Sequence, residues 1–239
     1  MLSFLANPDR FMAFSRWAAP MFGVLAGLLM AVGLWLGFAA PEDYQQGDTV
    51  RLMFIHVPAS WMSMFVYACL ATASFLALVF RHALADAAAR AAAPLGAAFT
   101  FMALFTGSLW GRPMWGTWWQ WDARMTSVLV LFLVYLAYMA LRASLDDETK
   151  AARACAILAL VGAVNLPVIK FSVDWWNTLH QGASVFRAEG PAMTNDYLWP
   201  LLLMGLAYMS AFGSLWLVRI RGEVWRRRAE ALALRAARA

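Results

Sequence analysis

AAPMFGVLAGLLMAVGLWLGFAA, residues 18–40, runs for 23 positions without one charged side chain. Crossing the hydrocarbon core as a helix takes about 20 such residues, because a helix satisfies its backbone N–H and C=O groups internally. The stretch therefore predicts a membrane span, and it is too long for the apolar centre of a signal peptide. Gly37-Phe38-Ala39 has the small-residue pattern of a cleavage site, and removal of the segment there is the competing expectation. Five further apolar runs follow, at about 58–80, 94–111, 125–141, 154–169 and 198–218. The third and fifth are short and are expected to borrow flanking residues, Ala91 to Ala93 and Ala151 to Ala152. Composition agrees, since 63% of the 239 residues are apolar and 14% charged, against about half and a quarter in soluble domains. The expected fold is an all-α integral membrane protein, one domain over 1–239 with six transmembrane helices.

Six spans place both termini on one side, and the basic residues select it. With a cytoplasmic N-terminus, the inner segments hold Arg10, Arg16, Arg81, Arg90, Arg142, Lys150 and Arg153, and the tail 219–239 adds seven arginines. Only Arg51, Arg112, Arg124, Lys170 and Arg187 fall outside. Positive charge collects on the cytoplasmic side of membrane proteins, so both termini are expected in the cytoplasm and the polar loops on the outer face. The net charge of +5 equals that of the tail, with its seven arginines and two glutamates. Anionic lipid of the bilayer is a sufficient partner for it, and no nucleic acid is required.

The apolar runs contain no Asp, Glu, Lys, Arg or His, which argues against a self-contained pump, since ion pathways carry such groups. A GxxxxGK[ST] phosphate loop is missing, so the chain lacks that route to ATP hydrolysis. Cys69 and Cys155 lie within apolar runs and form no CxxC or CxxCH; they read as core thiols. The polar residues are concentrated in three outer loops, 41–57, 110–124 and 170–197.

Two of the three histidines are there. His56 precedes Pro58, which is expected in the first turn of the second span, so the positive end of the helix dipole would keep its imidazole neutral. His180 follows Trp176 by four residues, beside Trp175. His82 falls on the other side and reads as a solvated or headgroup residue. Taken singly, either outer histidine is also compatible with an ordinary hydrogen-bonded surface role. Two ligands do not make a zinc site. Two neutral imidazoles do suit the axial positions of a haem iron, whose other ligands come from the porphyrin.

The second outer loop, WGRPMWGTWWQWDARMTS (110–127), holds Trp110, Trp115, Trp118, Trp119 and Trp121. An interfacial aromatic belt explains scattered tryptophans such as Trp35, Trp61, Trp199 and Trp216, and explains this crowding poorly. Trp115, Trp118, Trp119 and Asp122 follow i, i+3, i+4, i+7, so a short helix lying on the membrane would present them together. Such a face offers a flat apolar platform to a porphyrin, with Arg124 and Arg51 as partners for its propionates and Asp122 orienting Arg124 or the loop backbone. Stacking of single-stranded nucleic acid would expect a basic groove, which these loops lack.

WGTWWQWD (115–122) closely resembles the WGxxWxWD signature of the haem-handling membrane proteins of cytochrome c biogenesis, and length and span number look like the CcmC (haem exporter protein C) family. The likeness extends to DYQQGDTVRLMFIHVPASWM (43–62) and NLPVIKFSVDWWNTLHQ (165–181). The resemblance implies that non-covalent haem b is ligated by His56 and His180, with the signature residues Trp110, Trp115, Trp118, Trp119, Trp121 and Asp122 as platform and chaperone-docking segment. It also implies supporting roles for Asp43, Gln46 and Arg51. The implied partners are a membrane-anchored periplasmic haem chaperone, an ABC-type ATPase with its membrane subunit, and a very small single-span protein. The chain would be a haem transfer subunit and not an enzyme, with help in covalent attachment of haem to the chaperone left open. The rival reading is a membrane anchor cytochrome that relays electrons with quinone through a bis-histidine haem.

Overall fold

Asn7 opens the first helix by accepting hydrogen bonds from the N–H groups of Asp9 (2.8 Å) and Arg10 (3.4 Å), and Pro8 sits where no N–H is needed. The computed structural model describes residues 7–237, so Arg238 and Ala239 of the basic tail lie outside the described residues. Helix α1 (Pro8–Ala39) is followed by a 3-10 turn at Asp48–Leu52 that runs directly into α2 (Met53–Phe80). Then come α3 (Ala83–Trp115), α4 (Ala123–Ser144), α5 (Glu148–Gly162), α6 (Asn165–Trp175) and α7 (Asn195–Ala236). Among the described residues the fold is all-helical, and six helical segments, counting α5 with α6 as one, are long and apolar enough to cross a membrane.

The helices overrun the apolar runs. Helix α3 takes in Ala91 to Ala93, and α7 continues for 42 residues, roughly 60 Å, through most of the tail. The fifth run is divided. Pro167 supplies no N–H and its ring conflicts with the carbonyl one turn earlier, so the chain tightens at Ala163–Val164 and restarts as α6. There Val164 N–H bonds the Val161 carbonyl (3.2 Å), a 3-10 pattern, and the Asn165 amide donates across to the Ser127 carbonyl (2.7 Å).

Helix α2 is central, packed against α3, α5 and α7, while α1 lies along α7. The core between them is built on Tyr67, Leu70, Leu131 and Tyr135, all at most 1% exposed. The two phenols among these find carbonyls, Tyr67 that of Ala159 (3.1 Å) and Tyr135 that of Ser63 (3.0 Å), as groups without access to water require. Cys155 is buried and Cys69 half-buried, both as free thiols.

The bundle has two different ends. At one, the connections 41–52, 116–122 and 176–194 meet: the Tyr197 hydroxyl donates to the Pro41 carbonyl (3.0 Å), and the Trp110 indole to Gln46 Oε1 (2.9 Å). At the other, charged groups from α3, α4, α5 and α7 form one network. Arg142 grips Asp86 with two hydrogen bonds (2.8 and 3.1 Å) and reaches Glu148. Arg226 and Arg227 of α7 converge on Glu223, Arg227 also bonds Asp86, and Arg228 pairs with Asp9. Much of the tail's charge is thus returned to the bundle, in addition to what lipid could meet. His82 belongs to this end, where its Nδ1 accepts from Ala85 N–H (3.2 Å) as the N-cap of α3.

Candidate functional site

At the loop end a cavity of about 390 Å³ opens between α2, α3, α4 and α6, roofed by residues 179–184. Its volume lies in the range of small-molecule sites, and its walls are mostly apolar. His56 and His180 both line it.

His56 sits in the first turn of α2, which begins at Met53, so Pro58 lies inside the helix instead of opening it. Its Nδ1 is 3.0 Å from the Ala103 carbonyl and 3.2 Å from Thr106 Oγ1. A carbonyl can only accept, and the Thr106 hydroxyl already donates to Met102 O (2.6 Å). Nδ1 must therefore carry the proton, which leaves the Nε2 lone pair bare. Gly107 makes room for this ring, since a Cβ there would fall 2.8 Å from His56 Cε1.

His180 reaches the same state by another route. Its Nδ1 lies 3.2 Å from Asp122 Oδ2; the carboxylate can only accept, so the proton stays on Nδ1 and the lone pair is on Nε2. Burial holds this imidazole below its ordinary pKa, with Asp122 opposing and Arg124 reinforcing the shift. Each ring has a tryptophan edge: Trp110 at 5.7 Å from His56 and Trp115 at 5.0 Å from His180, both T-shaped. Among the described residues no group of three or more His, Cys, Asp or Glu could hold a bare metal ion. Two bare imidazole nitrogens on one apolar cavity fit an iron that brings its own planar ligand.

The tryptophan loop differs from its expected form. Helix α3 continues through Trp115 and stops at Gly116, whose φ of 74° is the left-handed cap that glycine adopts without strain. Residues 117–122 are not helical, so no single face carries Trp115, Trp118, Trp119 and Asp122. Trp110 and Trp115 line the cavity, whereas Trp118 and Trp121 point outward, 54% and 73% exposed. Trp119 packs against Trp121 with its indole N–H buried and unpartnered.

The other anticipated residues divide similarly. Gln46 lines the cavity and is fixed by Trp110, while Asp43 organises the first loop by accepting from the N–H groups of Gln45 and Gln46 (both 2.9 Å). Arg124 is on the wall but spends its donors on Ser172 Oγ (3.2 Å) and the Ile169 carbonyl (3.4 Å), clipping α4 to α6. Arg51 pairs with Asp48 (2.5 Å) and does not line the cavity. Trp175 and Trp176 are exposed and meet edge to face outside it. Sequence reasoning missed Lys170 and Asp174, which face the cavity from α6, and four methionines, Met53, Met64, Met114 and Met125. The i, i+4 spacing of Lys170 and Asp174 beside His180 was the available signal for the first two; the methionines gave none.

Residues 1–235 match the family described as "Heme exporter protein C" (CcmC). The chain is 58% identical over 228 residues to Heme exporter protein C of Bradyrhizobium diazoefficiens, covering 95% of this chain and 87% of that protein. It is 47% identical over 222 residues to the Escherichia coli K12 protein of that name (92% and 89%), and 44% identical over 235 residues to that of Paracoccus denitrificans (98% of each). With this match over nearly its whole length, the chain belongs to the CcmC family of multi-pass membrane proteins that act in haem export for cytochrome c maturation.

Proposed function

We propose that this chain holds non-covalent haem b between His56 and His180, at the periplasmic face of a bacterial inner membrane, and passes it to a membrane-anchored haem chaperone. The observation that carries the reading is the pair of bare Nε2 atoms on one cavity, each fixed through Nδ1 by a proton acceptor. The haem supplies the iron that such nitrogens ligate and a flat apolar surface for the cavity walls. The chain's residues do the rest: Ala103 and Asp122 hold the tautomers, Trp110 and Trp115 fix the planes of the two rings, and Gln46 ties the first loop to the tryptophan segment. Trp118 and Trp121, turned outward on the rim, are the part of the signature a chaperone would meet first.

The basic α7 extension and the start of α1 lie at the end opposite the cavity, which supports the periplasmic placement of the cavity by the positive-inside rule. Any energy input belongs to partners, an ABC-type ATPase with its membrane subunit and a very small single-span protein, since the chain carries no phosphate loop. A quinone-linked relay expects its histidines on facing spans at depth; here His180 stands on a loop at one end of the bundle. Co-expression with the chaperone alone tests the reading. Covalent haem on the chaperone without the ATPase is the expected result. A reducible bis-histidine haem that exchanges electrons with quinol and never loads the chaperone would replace transfer by relay.

A further inference from the structure

The two imidazoles are fixed by unequal acceptors. His56 donates to a neutral backbone carbonyl and a hydroxyl, His180 to a carboxylate. That carboxylate is buried, 8% exposed, and both of its oxygens are committed. Oδ1 accepts from Met125 N–H (2.7 Å) and caps α4, while Oδ2 takes His180 Nδ1–H (3.2 Å) and Leu179 N–H (3.4 Å). Asp122 is also the last residue of the tryptophan loop, and Trp115 at the loop's start rests its ring edge on the same His180. One side chain thus links the start of α4, the loop that carries His180 and the segment that carries Trp118 and Trp121.

A charged acceptor on Nδ1–H makes a stronger hydrogen bond than a carbonyl and raises the basicity of the nitrogen across the ring. We propose, on the basis of the haem reading above, that Asp122 is a positioning residue that makes His180 the stronger axial donor, and that the tryptophan loop is thereby the lever on that one bond. A displacement of the loop would carry Asp122 away from Nδ1 and weaken the iron bond at His180, while His56, whose acceptors both lie within α3, keeps its own. Release at the transfer step then begins at His180, on the rim, and ends at His56.

Asp122→Asn separates this role from the cap. Asn caps helices as well as Asp, so α4 should be retained and the thermal unfolding of the haem-free protein should match wild type. The amide cannot offer a carboxylate to Nδ1–H, so haem affinity should fall about 10- to 100-fold, the usual effect of losing an outer partner of a metal-ligating histidine. The reduction potential should rise, because a weaker donor favours the ferric ion less. Thr106→Val, which removes only the secondary acceptor of His56, should shift affinity and potential less than Asp122→Asn does. Equal shifts in the two variants, or wild-type affinity and potential in Asp122→Asn, would overturn the inference while leaving the haem reading intact. Wild-type protein without a bis-histidine haem spectrum would instead remove the reading itself, and the inference with it.

Discussion

The two ends of the bundle treat polar groups in opposite ways. Away from the cavity, Asp86, Arg90, Arg142, Glu148, Glu223, Arg226 and Arg227 pair with one another across four helices, with Arg142 and Glu223 at most 9% exposed. At the loop end, His56 and His180 each satisfy one ring nitrogen and leave the other bare toward a cavity. Charges that are fully paired with one another have nothing left to offer a ligand, and they hold the helices together. An unspent lone pair on a buried ring is costly to keep unless something binds it. Difference in satisfaction, more than difference in polarity, separates scaffold from site.

Removing either unspent nitrogen should produce the largest effect. His56→Ala or His180→Ala should abolish tight retention of haem and the bis-histidine absorption spectrum, while far-UV circular dichroism stays unchanged. Acidification approaches the same limit by another route. Burial lowers the pKa of His180, so its neutral form persists as the pH falls through the ordinary histidine value of about 6.5. Haem binding to the free protein should therefore hold through that pH and decline only below it. A binding midpoint at or above 6.5 would contradict the buried placement of the ring.

The scaffold end should answer to the converse experiment. Arg142→Ala removes the bidentate bridge between α3 and α4 and leaves Asp86 with Arg227 as its remaining cation. Leaving a buried charge without any partner costs about 3 to 5 kcal/mol; with Arg227 still on Asp86 the loss should fall below that range, read as a lower midpoint of denaturation in detergent. Protein that remains folded should show the wild-type haem spectrum. A change in axial ligation in this variant would mean that the two ends are coupled through the helices, and the division drawn above would fail.

Much of this contrast was legible in the chain, and the illegible parts share a cause. Apolar length alone marked the spans, because a helix in hydrocarbon needs nothing beyond its own backbone. His56 and His180 stood out through residue type and proximity to span ends. The acceptors that fix them did not. Ala103 acts through its carbonyl, which leaves no trace in side-chain identity, and Asp122 meets His180 across 58 positions of sequence. The amphipathic spacing of the tryptophans was misleading because Gly116 ends the helix in the left-handed conformation before the pattern can be used. The tail arginines likewise suggested lipid, and α7 turns several of them onto acidic residues far away in sequence.

Smaller effects should divide the tryptophans themselves. Trp110 and Trp115 touch the histidine rings, and an aromatic pair is worth about 0.5 to 1.5 kcal/mol beyond the area it buries. Trp110→Ala and Trp115→Ala should each weaken haem retention by a few-fold to roughly tenfold, well short of losing a ligand. Trp118→Ala and Trp121→Ala, at exposed positions, should leave retention near wild type and reduce delivery to the chaperone. Equal loss of retention in all four variants, measured by haem content after dilution, would mean the loop acts as a single structural unit.

The smallest effect falls on the third histidine, which stands at the opposite end of the bundle and makes the reverse hydrogen bond. Nδ1 of His82 accepts from Ala85 N–H, so it must be bare, and the proton of the neutral ring sits on Nε2. That is the tautomer opposite to the one fixed at His56 and His180. The chain therefore holds its histidines in two forms, one that caps a helix with Nδ1 and one that keeps Nε2 for a ligand. His82→Ala should cost about 0.5 to 2 kcal/mol through loss of the α3 cap and leave haem spectrum and affinity unchanged, whereas His82→Asn should recover the stability. Nitrogen-15 chemical shifts of the rings in the haem-free protein provide the direct check: one imidazole protonated at Nε2 and two at Nδ1. Three rings of the same tautomer would remove the distinction between the two ends at the atoms that define it.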